Sequence, residues 1–577
     1  MYNKKLAKTE VFAGGKVHTK SSNYELIKAE IESRKLWPYV EAKKVLNRHN
    51  YDLDYTYTFE SGFGPSGFPH IGTFGEVVRT EFIINAIREF GFKTKLIVFS
   101  DDMDGLRKIP EGMPAWLKEH LGKPVSSIPD PFGECSSFSK HMNNKLIKML
   151  DWMDIDYEFK SSRAMYETGE FDEGLKILLE NYKSLEGIIA PTLSEKTLKT
   201  WYPFFPICEN CGKVLTTIVK EVNLQNFTVQ YSCTKNHGEV PGCGYDGEQS
   251  YLGGHGKVTW RVDWPLRWYS LKVDYELYGK DLIESFIVGE KIMNKVFKTE
   301  APENMYYEMF LDETGAKISK SKGKGVTVED WLKYGNIESL RLLMFKQLQK
   351  AKELSFKIIP WYVDNVIITS RDFHSNSNVK EHEFNFITRF KAKDYTYPNI
   401  SYMLICNLMT TLKTTNKNLI KDYLSKQKDL SRDDLESGFV DEVIEKAGRY
   451  YNDFISTETH EVTFSTDDIF YIGQVIGLLY NELTAEMIHN AIYEIAKRNN
   501  VEPQKLFKLL YLSLIGQEKG PRLGNFIKMI GQEKTIDILL NRIAVSLKKV
   551  NIQEIDQPQK EKQPSDSSVQ SLGKEVS

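Results

Sequence analysis

The stretch that most constrains this chain runs from Tyr55 to Phe99. Tyr55 to Phe59 alternates tyrosine with threonine and ends in phenylalanine, the pattern of a strand. A glycine-rich loop follows from Ser61 to Pro69. Phe74 to Phe90 then repeats Val77, Val78, Phe82, Ile83, Ala86, Ile87 and Phe90 at helical spacing, and Gly91 is a natural stop. Leu96 to Phe99 is a short apolar run of the kind buried in a parallel sheet. Strand, glycine-rich loop, helix, strand is the opening of a doubly wound, Rossmann-like α/β fold that binds nucleotides.

The loop reads Pro65-Ser66-Gly67-Phe68-Pro69-His70-Ile71-Gly72-Thr73. Gly67 and Gly72 let the backbone approach a ligand closely. The start of the following helix offers N–H groups and the positive end of a dipole, which suit phosphate. His70 stands at that entrance, positioned to donate to a phosphate oxygen. Far downstream, Lys317-Ile318-Ser319-Lys320-Ser321 opens a second lysine-, glycine- and serine-rich loop. A solvated charge run needs no serine at fixed places between its lysines, nor a phosphate loop upstream.

Global charge does not help. The 577 residues carry 76 basic and 79 acidic side chains, a net charge of -3, so any basic face for nucleic acid must be local. No run of about 18 apolar residues predicts a membrane span. Met1 to Lys20 lacks the apolar core of a signal peptide, so a cytoplasmic protein is expected.

Together the two loops resemble the paired signatures of class I aminoacyl-tRNA synthetases. His70-Ile71-Gly72-Thr73 stands for H-I-G-H, with Thr73 replacing the last histidine, and Lys317 to Ser321 for K-M-S-K-S. The resemblance implies ATP with Mg²⁺, attack of an amino acid's carboxylate on the α-phosphate, and transfer of the aminoacyl group to tRNA. It makes His70, Lys320 and Lys317 the catalytic set. Gly67, Gly72, Thr73, Ser319, Ser321 and Asp281 complete the expected ATP site.

Further segments are similar to the class I lysyl-tRNA synthetase across roughly residues 20 to 550. They are Glu60 to Gly64, Ser100-Asp101-Asp102-Met103-Asp104-Gly105, Trp260 to Trp268, and Tyr278-Gly279-Lys280-Asp281. Lysine carries two ammonium groups, and acidic residues at a strand's C-terminal end lie where α/β sheets bind ligand. Glu60, Asp101, Asp102 and Asp104 are therefore candidate lysine contacts, with Trp264 and Trp268 as candidate walls for its aliphatic stem. The implied partners are lysine and tRNA(Lys), with no membrane and no obligate protein partner. The rival readings are a glutamate or glutamine enzyme of the same class, a nucleotidyltransferase, and a tRNA-binding protein with a decayed site. The D-D-M-D segment and the helical C-terminus oppose the first two. His70 and Lys320 oppose the last.

Four of the six cysteines fall between residues 208 and 243, which suggests metal in a reducing compartment. Cys208-Glu-Asn-Cys211-Gly212 is a metal-binding knuckle, and Cys233 and Cys243 are its candidate second half. Nine residues separate that second pair, so His237 is a rival fourth ligand. Family resemblance supports a structural Zn²⁺ here. Asp130, Glu134, Cys135 and His141 form a looser cluster, similar to a second metal site in archaeal relatives.

The expected layout is a helical extension over 1–49, the halves of the catalytic domain over 50–105 and 255–310, and a connective insertion with the zinc module over 106–254. The K-I-S-K-S loop and linking segment cover 311–358, an all-helical anticodon-binding domain 359–552, and a disordered tail 553–577. Short strand-like runs are read at Val258 to Trp260, Val273 to Tyr278 and Phe286 to Val288.

Overall fold

A computed structural model describes residues 20–316, 326–376, 381–427, 429–456 and 464–555. The chain divides into two compact units, Met1–Tyr397 and Pro398–Ser577. The loop from Lys317 to Gly325 and the expected tail beyond Ile555 lie outside the described residues.

The first unit is built on five strands: β1 (Thr56–Phe63), β2 (Lys93–Ser100), β3 (Glu158–Ser161), β4 (Tyr275–Gly279) and β5 (Glu303–Tyr307). Their spatial order is β5-β4-β1-β2-β3, and every neighbouring pair is parallel. β1 and β2 pair along their full length, from Thr56 opposite Lys93 to Phe63 opposite Ser100. The order reverses between β1 and β4, which meet at Phe59–Tyr275 and Glu60–Glu276. Crossovers leave this gap in both directions, so a crevice opens beyond the strands' C-terminal ends there.

The helices around the sheet are α1 (Trp37–Arg48), α2 (Ile71–Arg88), α3 (Phe138–Trp152), α4 (Trp260–Leu271) and α5 (Ile283–Ile292). α2 is buried on almost every side, which explains why its sequence is apolar well beyond one stripe. α1 begins one residue before Pro38, whose missing N–H costs nothing in a first turn.

Three expectations about strands change. β3 comes from the region read as insertion. Its charged residues Glu158 and Lys160 pair with each other and with Lys95 and Glu170, as suits an edge strand, and they hide the apolar signal. Phe286 to Val288 lies within α5, where Phe286 and Val288 are buried and Ile287 faces solvent. Trp260 starts α4, after a short strand at Gly256–Val258 that pairs with Phe204–Pro206.

The insertion proper carries helices Asp172–Glu180 and Tyr182–Ile189 and an antiparallel sheet of Ile218–Asn223, Thr228–Ser232 and Asp246–Ser250. Helix Ile359–Ser375, expected to open the anticodon-binding domain, falls in the first unit. In the second unit every regular element among the described residues is helical, from Tyr402–Leu412 to Gln532–Ile555. Ser465 and Asp468 form a capping box at the start of Thr466–Leu479, and Gly516 ends Pro503–Ile515 in the left-handed conformation.

Candidate active site

His70 is the N-cap of α2. Its Nδ1 accepts from the amides of Gly72 at 2.9 Å and Thr73 at 3.3 Å. Two of the helix's orphan donors are thus satisfied by the ring and not left for a ligand. An accepting Nδ1 puts the proton of the neutral ring on Nε2, so the ring presents a donor. Gly72 is what makes this possible: a Cβ there would stand 2.6 Å from His70 Cε1. Thr73, expected to replace a histidine donor, is buried in the first turn of α2. Ser66 and Gly67 line a cavity of about 390 Å³, together with Asp101, Asp104, Arg107 and Trp260.

Beneath the strand ends lies a buried charge network. Arg267 on α4, 1% exposed, reaches Glu60 at 3.2 Å, Asp101 at 3.1 Å and Asp263 at 3.7 Å. Lys257 pairs with Asp104 and stands 3.7 Å from Asp263. Burial pushes the Glu60 carboxyl up to about 7, with Arg267 opposing and Asp263 and Glu76 adding to the rise. Burial likewise holds Asp101 well above the usual carboxylate range. Neither oxygen of Glu60 nor of Asp263 finds a hydrogen-bond donor among the described residues. The network has more carboxylates than cations, and desolvated charge of one sign is costly unless matched.

The candidates divide by position. Asp101 and Asp104 reach the cavity. Asp102 is tied to β3: its oxygens accept from Ser161 Oγ at 2.6 Å and the Arg163 amide at 2.8 Å. Trp264 and Trp268 stack 5.5 Å apart within the core, and both indole N–H groups donate to Glu276. The aromatic residue on the cavity wall is Trp260, one turn earlier. Asp281 sits just past β4, exposed at the switch point. Gly279 leaves room for its carboxylate, which would stand 2.8 Å from a Cβ added there. Lys317, Ser319, Lys320 and Ser321 lie outside the described residues. Arg267, Asp263, Lys257 and Glu276 are not among the site residues expected from sequence. The spacing of Asp263 and Arg267, one helical turn apart, was the available signal.

The four thiols converge. Sγ of Cys208 is 3.6 Å from that of Cys243, and Cys211 is 3.7 Å from Cys233. All four lie within 4.8 Å of one another. Four thiolates about 2.3 Å from one zinc stand about 3.8 Å apart on a tetrahedron, so the donor set fits that ion. Gly212 turns the first knuckle at φ +71°, its amide donating to Cys208 O at 2.7 Å. The long second spacing is closed at its neck, where the Gly244 amide donates to Cys233 O at 2.9 Å. Gly242 is packed so tightly that a Cβ would stand 2.2 Å from Cys233 O. His237 turns away into a small bridge with Val240 and is not among the converging donors.

Asp130, Cys135 and His141 also converge. Asp130 Oδ2 is 3.2 Å from His141 Nδ1 and accepts from the amides of Glu134 at 2.9 Å and Cys135 at 2.8 Å. The Glu134 carboxylate stands farther off, 3.7 Å from His141, and points to solvent.

A parallel sheet with a crevice at its switch point, a glycine-gated histidine at the start of α2 and a separate helical unit fit a class I aminoacyl-tRNA synthetase. Comparison with known proteins agrees. The family model "tRNA synthetases class I (K)" matches residues 35–393, and "Anticodon binding domain" matches residues 421–543. The chain is 38% identical over 526 residues to the lysine–tRNA ligase of Rickettsia felis (strain ATCC VR-1525 / URRWXCal2), covering 88% of this chain and 97% of that one. It is 37% identical over 533 residues to the lysine–tRNA ligase of Rickettsia bellii (strain OSU 85-389), covering 90% and 100%. The chain belongs to the class I (K) tRNA synthetase family, and it is an aminoacyl-tRNA ligase of translation.

Proposed function

We propose that this lysine–tRNA ligase activates lysine with ATP in the crevice beyond β1 and β4 and transfers it to the 3′ end of tRNA(Lys). The observation that carries the site is the surplus of buried carboxylates at the strand ends. Glu60, Asp101 and Asp263 share the single cation of Arg267; a bound lysine adds a second, and Asp101 is the group on the cavity wall positioned to meet its α-ammonium.

ATP lies against Gly67, His70 and Gly72, with Asp281 accepting from the ribose; Mg²⁺, bound with it, would offset the negative charge of its phosphates. His70 donates from Nε2 to a phosphate oxygen. Lys320, supported by Lys317, Ser319 and Ser321, brings positive charge from the second loop. The lysine carboxylate attacks the α-phosphorus, and the bond from that phosphorus to the oxygen bridging to the β-phosphate breaks, the oxygen leaving on pyrophosphate. A hydroxyl of the terminal ribose then attacks the acyl carbon, and AMP leaves. The protein's part is positioning and matching charge as it develops. Cys208, Cys211, Cys233 and Cys243 would hold a structural Zn²⁺, which would tie the insertion together. The cytoplasm, where translation runs, is the expected place of work; no helix among the described residues is long and apolar enough to cross a membrane.

The test is pyrophosphate exchange, run with tRNA present, across all twenty amino acids. Lysine should support exchange, and His70→Ala should slow it about a hundredfold, the usual loss for one transition-state donor. Absence of exchange with lysine, or a preference for glutamate, would sink the reading.

A further inference from the structure

Two phenylalanines stand exposed where the loops around the crevice meet solvent, and the adenylate chemistry uses neither. Phe68, 49% exposed, lies two residues before His70, and Phe132 is 42% exposed. Their ring centroids are 5.8 Å apart. Phe132 is held firmly from behind. Its ring stacks on buried His141 at 4.4 Å with an interplanar angle of 27°, and its amide donates to Asp130 Oδ1 at 3.1 Å. Asp130 in turn binds His141 and the following turn. The Asp130–His141 knot thus fixes an aromatic ring that solvent still reaches.

The same segment walls a second cavity, of about 720 Å³. Its lining includes Ser126, Ser136, Ser137 and Ser139, with Lys140 and Arg163. The one carboxylate on that wall, Asp102, already accepts from Ser161 and the Arg163 amide. Arg163 is itself paired with Glu167 at 2.7 Å, so the hydroxyls and Lys140, with the Asp102 acid already engaged, are what suits a phosphodiester.

We propose that Phe68 and Phe132 form a stacking platform for an unpaired nucleobase at the 3′ end of tRNA, with the serine, Lys140 and Arg163 cavity taking the adjacent phosphodiester. Exposed aromatic rings on a rigid support are poorly served by water and well served by a base, whose π-face is recognised whatever its sequence. The occupant follows from continuity with the crevice. The terminal ribose must reach the adenylate, so the single-stranded nucleotides before it must pass the loop that carries Phe68. This rests on the ligase reading above.

The experiment compares binding of intact tRNA(Lys) and of the same tRNA trimmed of its unpaired 3′ nucleotides. The wild-type enzyme should favour the intact RNA about tenfold, the low end for one stacked base. Phe132→Ala and Phe68→Ala should lose most of that preference while binding the trimmed tRNA as before, and Phe132→Trp should keep it. An unchanged preference in Phe68→Ala, an exposed loop residue whose loss leaves the fold intact, overturns the proposal. So does a raised KM for ATP with the preference untouched, which would make the platform an adenine site. Failure of the wild-type enzyme to bind either RNA would overturn the ligase reading as well; loss of the platform effect alone leaves that reading standing.

Discussion

Glu60, Asp101, Asp104, Asp263 and Glu276 share two cations at the strand ends and come from segments far apart in the chain, whereas four thiols meet within the stretch from Cys208 to Cys243. The first site exists only because the sheet's switch point brings β1, β2 and β4 together. The second is built by local turns, at Gly212 and at the Gly244–Cys233 neck. A site assembled by topology should fail together with the fold. One assembled by local turns should fail alone.

The sharpest way to break this contrast is Arg267→Leu. It leaves Glu60, Asp101 and Asp263 buried without their cation, and should destabilise the first unit by about 3–5 kcal/mol. Urea unfolding measures it; a loss under about 1 kcal/mol would mean the network is wetter than its burial implies.

Cys243→Ser should release bound zinc and abolish charging of tRNA while the five-stranded sheet stays folded, read by metal analysis beside circular dichroism. His237→Ala should keep the metal. Retention of zinc by the first variant and its loss from the second would exchange the two residues' roles.

The smallest effect expected is on pH. Glu60 titrates near 7 in the fold against a reference of 4.5, so it is largely neutral below that value. A bound ammonium favours the ionised form, so KM for lysine should fall as pH rises towards 7, by up to about tenfold per unit, and level off above it. In the ligand-free protein the sign is opposite: stability contributed by the neutral carboxyl is full below 4.5 and is lost as pH rises through 7. Glu60→Gln should flatten both profiles. A KM slope that survives this change would assign the proton to Asp101 or Glu276.

What could be read from the sequence follows the same division. The strand–loop–helix opening, Cys208-x-x-Cys211 and the C-terminal helices are local patterns, and all three appear in the structure close to where their periodicity puts them. Arg267, Lys257 and Glu276 were not legible, because a charge that pairs across the fold leaves no period along the chain. Trp264 and Trp268 are hard to place from sequence for a related reason. Their spacing predicts one helical face, but only the position of Glu276 on β4 decides what that face meets. Asp102 resembled its neighbours in sequence and differs from them only because β3 lies beside it.

The position of β4 also sets an order of events during synthesis. β1 emerges early, yet its partner on one side, Tyr275–Gly279, follows more than the whole thiol module. A nascent chain that has just released Cys243 from the ribosome can bring its four thiols together, since all of them are already outside. Its central strand still has an open edge, with Glu60 facing it. Reduced supply of zinc and interrupted translation should therefore leave different products: a finished sheet around a slack insertion in one case, and a closed knuckle beside an unsealed, aggregation-prone strand in the other.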